Sequence, residues 1–270
     1  MRVYISADME GISGVVAGLQ TDDSHKEYER ARRLMTGEVN AAIAGAFAGG
    51  ATEVLVNDSH GAMRNLLIEE LDARAELVTG SPKPLSMMEG LDGSFAAVFL
   101  IGYHAQAGTR LGTLNHTYTG RVFQVSLNGV PMGEAGINAA VAGAFGVPVA
   151  LVTGDQATVD EARRTFAPPV TVAVKQAMTR NAARCLSPAA ARQRIEAAAA
   201  QAMRQRGEPF LLPPPVLVRV TFTRSDQADM AEMMPGVVRI DDRTVSYQHD
   251  SMLTLFRAWR AMLTLAYYAD

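Results

Sequence analysis

Asp8 and Glu10 stand two residues apart in "YISADMEG", directly after the β-favouring run Val3-Tyr4-Ile5. Side chains two apart in an extended chain share a face, so two carboxylates lie side by side at the end of a buried strand. Such a pair belongs either at a solvated loop edge or around a cation. Two further apolar stretches end in the same way: "EVLVNDSHG" in Asp58, Ser59 and His60, and "VFLIGYHAQAG" in His104. Two of the chain's five histidines thus finish an apolar strand. When strands run parallel their C-terminal ends share one edge, and α/β proteins bind ligands there. Glu134 in "MGEAGINAAVAG" opens a helix, where the backbone dipole already favours an acid, and Gly133 and Gly136 leave room for close approach. Carboxylates mixed with imidazoles suit zinc, manganese or cobalt.

Charge counting favours two ions over one. Asp8, Glu10 and Glu134 bring three negative charges and a shared hydroxide a fourth, which balances two divalent cations. A single cation would leave excess buried negative charge. With Asp8 bridging, these five side chains supply three bonds to each ion, and the hydroxide completes four-coordination with a position left for substrate. His116 has a different setting. It lies in polar "GTLNHTYTG" between Gly112 and Gly120, away from any apolar strand end. There it can be a surface histidine, or a group that meets substrate, moves a proton or donates to an oxyanion.

The elements that must position these residues alternate between strand and helix patterns. A helix is expected over Tyr28 to Phe47, stopped by Gly49-Gly50, and strands over 52–58, 75–80 and 95–102. A hairpin is expected over 121–133 with Asn128-Gly129 as its turn, then a helix from Glu134 to Phe145 and a strand over 147–154. Later come a helix over 187–207 with Ser187 as cap, a proline-rich connector, the strand Val216 to Phe222, strand patterns within 237–247 and a closing helix from Asp250. Gly11 and Gly14 are expected to let the backbone turn sharply beside the carboxylates. The fold class is α/β, a largely parallel sheet flanked by helices, with a smaller α/β C-terminal portion. A soft boundary near 165 is expected to divide a metal-binding catalytic part, 1–165, from a part, 166–270, that completes the site.

Other classes are disfavoured. A net charge of −3 speaks against nucleic acid or an anionic membrane as the main partner. The single cysteine, Cys185, cannot form an intrachain disulfide and fits a reducing compartment, so a soluble cytoplasmic protein is expected. No secretory signal is read, and Arg257 and Arg260 interrupt the apolar segment Met252 to Tyr268. The dinucleotide fingerprint, the phosphate-cradling P-loop and the G-x-S-x-G elbow are all absent. Cys185, in "RNAARCLSP", reads as structural.

With these residues assembled, the sequence resembles the M55 family of metallopeptidases, the D-aminopeptidases of the DppA type. "SADMEGISGV", "EVLVNDSHGAMRNLL", "MMEGLDGSF", "LIGYHAQAG", "NHTYTG", "VPMGEAGINAAVAG" and "AVKQAMTRNAARCLSP" occur in family order, from residue 1 to about 190. The resemblance implies two zinc ions per chain on Asp8, Glu10, His60, His104 and Glu134, with Asp8 bridging, and a catalytic role for His116. It also implies ring-shaped homo-oligomers, decamers whose active sites face an internal channel. The function it implies is removal of an N-terminal D-amino acid from short peptides, and the stereochemical preference comes from the resemblance alone. The alternatives are a dinuclear amidase or deacylase acting on another small amide, and a metal-stabilised peptide-binding protein without turnover.

Overall fold

The computed structural model describes residues 1–269. The chain opens with β1 (Arg2–Ala7), α1 (Tyr28–Ala48), β2 (Glu53–Asp58), β3 (Ala75–Val78) and β4 (Phe95–Tyr103). The hairpin β5 (Val122–Leu127) and β6 (Val130–Pro131) follows, then α2 (Glu134–Ala144), β7 (Val149–Asp155) and α3 (Gln156–Thr165). Next come β8 (Val170–Thr179), β9 (Ala182–Cys185), α4 (Pro188–Arg204) and β10 (Val216–Phe222). The last elements are α5 (Ser225–Glu232), β11 (Val238–Arg239), β12 (Thr244–His249) and α6 (Met252–Tyr267).

Seven strands form one sheet in the order β3-β2-β1-β4-β7-β8-β9, parallel except for the edge strand β9. Successive side chains alternate across it. Val3, Ile5, Ala97, Phe99 and Ile101 pack against α1 and α4, while Tyr4, Val98 and Leu100 join a second core with α2 and the other sheet. Burial on both faces explains the continuously apolar strands. From β1 the chain steps outward through β2 to β3, then returns to place β4 on the other side of β1. Between β1 and β4 the winding reverses, and a crevice opens there beyond the strand ends.

Helix limits follow local chemistry. α1 buries Met35, Val39, Ala42, Ile43 and Ala46, one stripe at helical spacing, and ends where the Gly49 amide turns back to the Gly45 and Ala46 carbonyls. α4 starts at Pro188, capped by the Ser187 hydroxyl, which accepts from the Ala190 amide at 3.3 Å. Among the described residues no helix is long and apolar enough to cross a membrane.

The second sheet is antiparallel, in the order β11-β12-β10-β5-β6, with α5 and α6 packed against it. Asn128 and Gly129 take φ of 48° and 83° at the hairpin turn, the left-handed pair that a two-residue loop needs. Neither sheet divides near residue 165. β8 and β9 lie beyond that point yet complete the first sheet, because β7 needs a partner on its open side. The hairpin lies before it yet pairs with β10, where Val122, Val125 and Leu127 find an apolar face to share. The two halves therefore interleave. Also beyond the sequence expectations are α3, α5 and the β8–β9 pair.

Candidate metal centre

Parallel pairing sets the first three contributions. Ala7 is in register with Asp58 of β2 and Ile101 of β4, so Asp8, His60 and His104 emerge together at one edge. The loop after β1 lies flat on β4: the Gly11 amide donates to the Gly102 carbonyl at 2.7 Å, and a Cβ on Gly11 would come within 1.9 Å of the Tyr103 carbonyl oxygen. Only glycine fits there. Gly14, at φ +88°, makes the second turn of the loop. Glu134 enters from the first turn of α2, and His116 from the loop before β5. Asp58 does not join them. Its carboxylate accepts from the amides of Asn65 and Leu66 and shapes the loop that carries His60.

All six candidate side chains converge. His60 Nδ1 lies 2.9 Å from Glu10 Oε2 and 3.5 Å from Asp8 Oδ1. His104 Nε2 lies 3.4 Å from Asp8 Oδ2 and 3.3 Å from Glu134 Oε2. Asp8 thus stands between the two histidines. His116 stacks on His104 with ring centroids 4.1 Å apart, and its Nε2 is 3.7 Å from Glu134 Oε1. Asp8, Glu10, His60, His104 and Glu134 are buried, and His116 is partly exposed.

The outward nitrogens reveal the tautomers. His60 Nε2 donates to the Thr21 carbonyl, His104 Nδ1 to the Ala105 carbonyl and His116 Nδ1 to the Leu114 carbonyl, each at 3.0 Å. A carbonyl only accepts, so these nitrogens carry the protons. In a neutral imidazole the inward nitrogen then presents a lone pair, and for His60 and His104 it faces carboxylate oxygens. Lone pair against lone pair is repulsive unless a cation or a second proton lies between. Asp8 Oδ2 and His104 Nε2 are buried without a hydrogen-bond partner. Donors of this kind, with the far ring N–H fixed by a carbonyl, fit a divalent metal. Two groups converge closely enough to share an ion: Asp8, Glu10 and His104, and His104, His116 and Glu134.

The electrostatics agree. Burial alone would lower the pKa of His60 and His104, yet the surrounding carboxylates, Glu10 for the first and Glu134 for the second, raise both well above the ordinary value. Burial, and then the negative charge of Glu10, raises that of Asp8. The pocket therefore attracts positive charge strongly. His116 moves the other way: burial and then the neighbouring His104 lower its pKa, which keeps it neutral.

Several supporting residues act through partners distant in sequence. Lys175 of β8 is buried, and its ammonium donates to the carbonyls of Glu10, Ile12 and Val15, tying down the loop after β1. In the sequence it is a lysine inside the apolar run "VTVAVKQAM", where the family-like stretch "AVKQAMTRNAARCLSP" begins. Glu161 of α3 accepts from the amides of Gln106 and Gly133, at 3.0 and 3.2 Å, and so links the segments carrying His104 and Glu134. The Tyr118 amide donates to Glu134 Oε1 at 2.6 Å and orients that carboxylate. The centre opens into a cavity of about 220 Å³ whose wall includes Met63, Ser86, Met87, Tyr118 and Arg260. No spacing rule joins Tyr118 to Arg260, since one lies in a loop and the other on the last helix.

A doubly wound α/β sheet with carboxylates and imidazoles at its switch point is the architecture of a metal-using hydrolase. The chain belongs to peptidase family M55, the D-aminopeptidases, whose profile it matches over residues 1–261. It is 41% identical over 269 residues to the D-aminopeptidase of Bacillus subtilis (strain 168), covering 98% of each chain. A solved structure, the Zn-dependent D-aminopeptidase DppA from Bacillus subtilis, a self-compartmentalizing protease, is 40% identical. That match covers 99% of this chain and 98% of the other, with a TM-score of 0.97.

Proposed function

We propose that this chain is a zinc-dependent aminopeptidase that releases the N-terminal D-amino acid of short peptides. Two zinc ions per chain would be held by Asp8, Glu10, His60, His104 and Glu134, with Asp8 shared between them. The observation that carries this reading is the pair of inward ring nitrogens, of His60 and His104, aimed at buried carboxylates. Zinc, or manganese or cobalt in its place, would when bound polarise the scissile carbonyl and activate water.

The rest of the chemistry falls to the chain. With its Nδ1 proton fixed on Leu114, His116 presents a basic Nε2 to the cavity and stays neutral, so it can accept a proton from the attacking water and deliver it to the leaving amine. Glu134, held by the Tyr118 amide, faces that nitrogen and stabilises the imidazolium when it forms.

The self-compartmentalizing neighbour supports a homo-oligomer, which we propose is a ring-shaped decamer with sites facing an internal channel, acting in the cytoplasm. Folded proteins should then be poor substrates and short peptides good ones. An active monomer found by light scattering at micromolar concentration would remove the assembly claim.

The functional test is a matched set of D- and L-terminated dipeptides, assayed with the zinc content of the purified protein measured in parallel. About two ions per chain, release of the D-residue and loss of activity to a chelator are expected. Equal turnover of L-peptides, or full activity without metal, overturns the reading.

A further inference from the structure

The cavity has a lopsided charge pattern. Asp8, Glu10 and Glu134 place three carboxylates at its inner end, and Arg260 of α6 is the one lysine or arginine among the described residues of its wall. The guanidinium lies 5.0 Å over the Tyr118 ring and makes no hydrogen bond or ion pair with the described residues. Tyr118 in turn holds Glu134 through its amide, so Arg260 stands one aromatic ring away from the candidate ligands. A second polar group waits on the same wall. Ser86 is 1% exposed, and its Oγ has no hydrogen-bond partner. A buried hydroxyl and a half-buried guanidinium, both unpaired and both on the cavity, point to an occupant with acceptor atoms at this end.

We propose that Arg260 recognises the C-terminal carboxylate of a dipeptide substrate, so that the site reads both ends of a short peptide. This rests on the aminopeptidase reading above. With the scissile carbonyl beside His116, the residue after it extends about 3.8 Å from Cα to Cα, and in a dipeptide its carboxylate follows at once. A guanidinium is planar and offers a fork of donors that matches a carboxylate, and the ring beneath it fixes its plane. A longer peptide places a neutral peptide bond where the dipeptide has its charge, and a C-terminal amide does so without adding length.

The test compares D-alanylglycine with D-alanylglycinamide on the zinc-loaded enzyme. The free acid should be favoured in kcat/KM by roughly 10–100-fold, the effect expected for one charge-assisted contact, and mainly through KM. Arg260→Gln should bring the acid-to-amide ratio to about one, and Arg260→Lys should restore part of it, since it keeps the charge but not the fork. A ratio near one in the unaltered enzyme, or a ratio that survives in Arg260→Gln, overturns the proposal. If neither peptide is hydrolysed, the aminopeptidase reading fails by itself. Calorimetric binding of the two peptides to unaltered protein and to Arg260→Gln then decides the recognition claim: tighter binding of the acid that disappears in the variant upholds it, and equal binding rejects it.

Discussion

Two buried polar clusters flank the loop after β1, and they differ in how their charges are met. On one side Lys175 gives its ammonium protons to three backbone carbonyls, and Glu38 of α1 accepts from the Ser13 amide at 2.9 Å. On the other, His60, His104 and Glu134 each spend one side-chain atom on the backbone, and with Asp8 and Glu10 they leave their inward atoms facing one another. Burial of charge is common to both, so burial alone does not mark a reactive centre. What marks it is convergence of unpaired donor atoms on a space large enough for ions and substrate. The first cluster holds the loop, and the second uses it.

The largest effect should come from Asp8, the residue both histidines approach. Asp8→Ala is expected to lose both ions and to reduce hydrolysis to background, whereas His60→Ala or His104→Ala weakens mainly one ion. Full metal content in Asp8→Ala, measured by elemental analysis, would contradict the shared role. The next largest concerns His116, which stacks on His104 while presenting its Nε2 to the cavity. His116→Ala should keep both ions and the assembly while turnover falls by roughly 10²–10⁴-fold, the range for lost proton transfer. Near-normal kinetics would make it a bystander. Loss of one ion would make it a ligand and redraw the centre.

The same contrast explains what could be read from sequence. The convergent candidate cluster was legible because each member sits at a strand end or a helix start, where alternation and apolar runs announce the position. Asp8 and Glu10 share a spacing of two, and His60 and His104 each close an apolar strand. The supporting cluster was not legible, because its pairings are between distant elements. Nothing near Lys175 says that its partners are the carbonyls of Glu10, Ile12 and Val15, and nothing near Arg260 names Tyr118. The placement of β8 was hidden for the same reason. Its alternating pattern fits either sheet, and only packing against β7 and α4 assigns it.

Lys175 tests whether the supporting cluster matters to the chemistry. Lys175→Met keeps the length of the side chain but leaves three carbonyls without their donor, at a cost of about 2–4 kcal/mol in stability. The Glu10 segment should loosen, with a fall in kcat/KM of about 10–100-fold and weaker zinc retention. Unchanged zinc affinity in a folded variant would show that the β1 loop holds its shape through Gly11 and Gly102 alone.

Glu38 gives the smallest effect and the clearest separation of the two clusters. It is 2% exposed, and one carboxylate oxygen lacks a partner. Burial, which the Ser13 amide and Lys175 only partly offset, raises its pKa from 4.5 to about 7. Between those values the folded chain keeps a proton that the unfolded chain releases. Its contribution to stability is therefore full below pH 4.5 and falls as pH rises to about 7, by up to about 3 kcal/mol at 1.4 kcal/mol per unit. Glu38→Gln retains an acceptor for the Ser13 amide and cannot ionise, so it should lack this slope. In denaturant melts the variant should gain on the unaltered protein from pH 5 to pH 8, and the gain should level off above pH 7. The pH dependence of zinc binding enters both proteins alike and cancels in the difference, and activity should change by less than about threefold because Glu38 touches no reacting group. A stability difference that stays constant with pH would mean that Glu38 is ionised in place, paired with Lys175, and that the two clusters are more alike than their hydrogen bonds indicate.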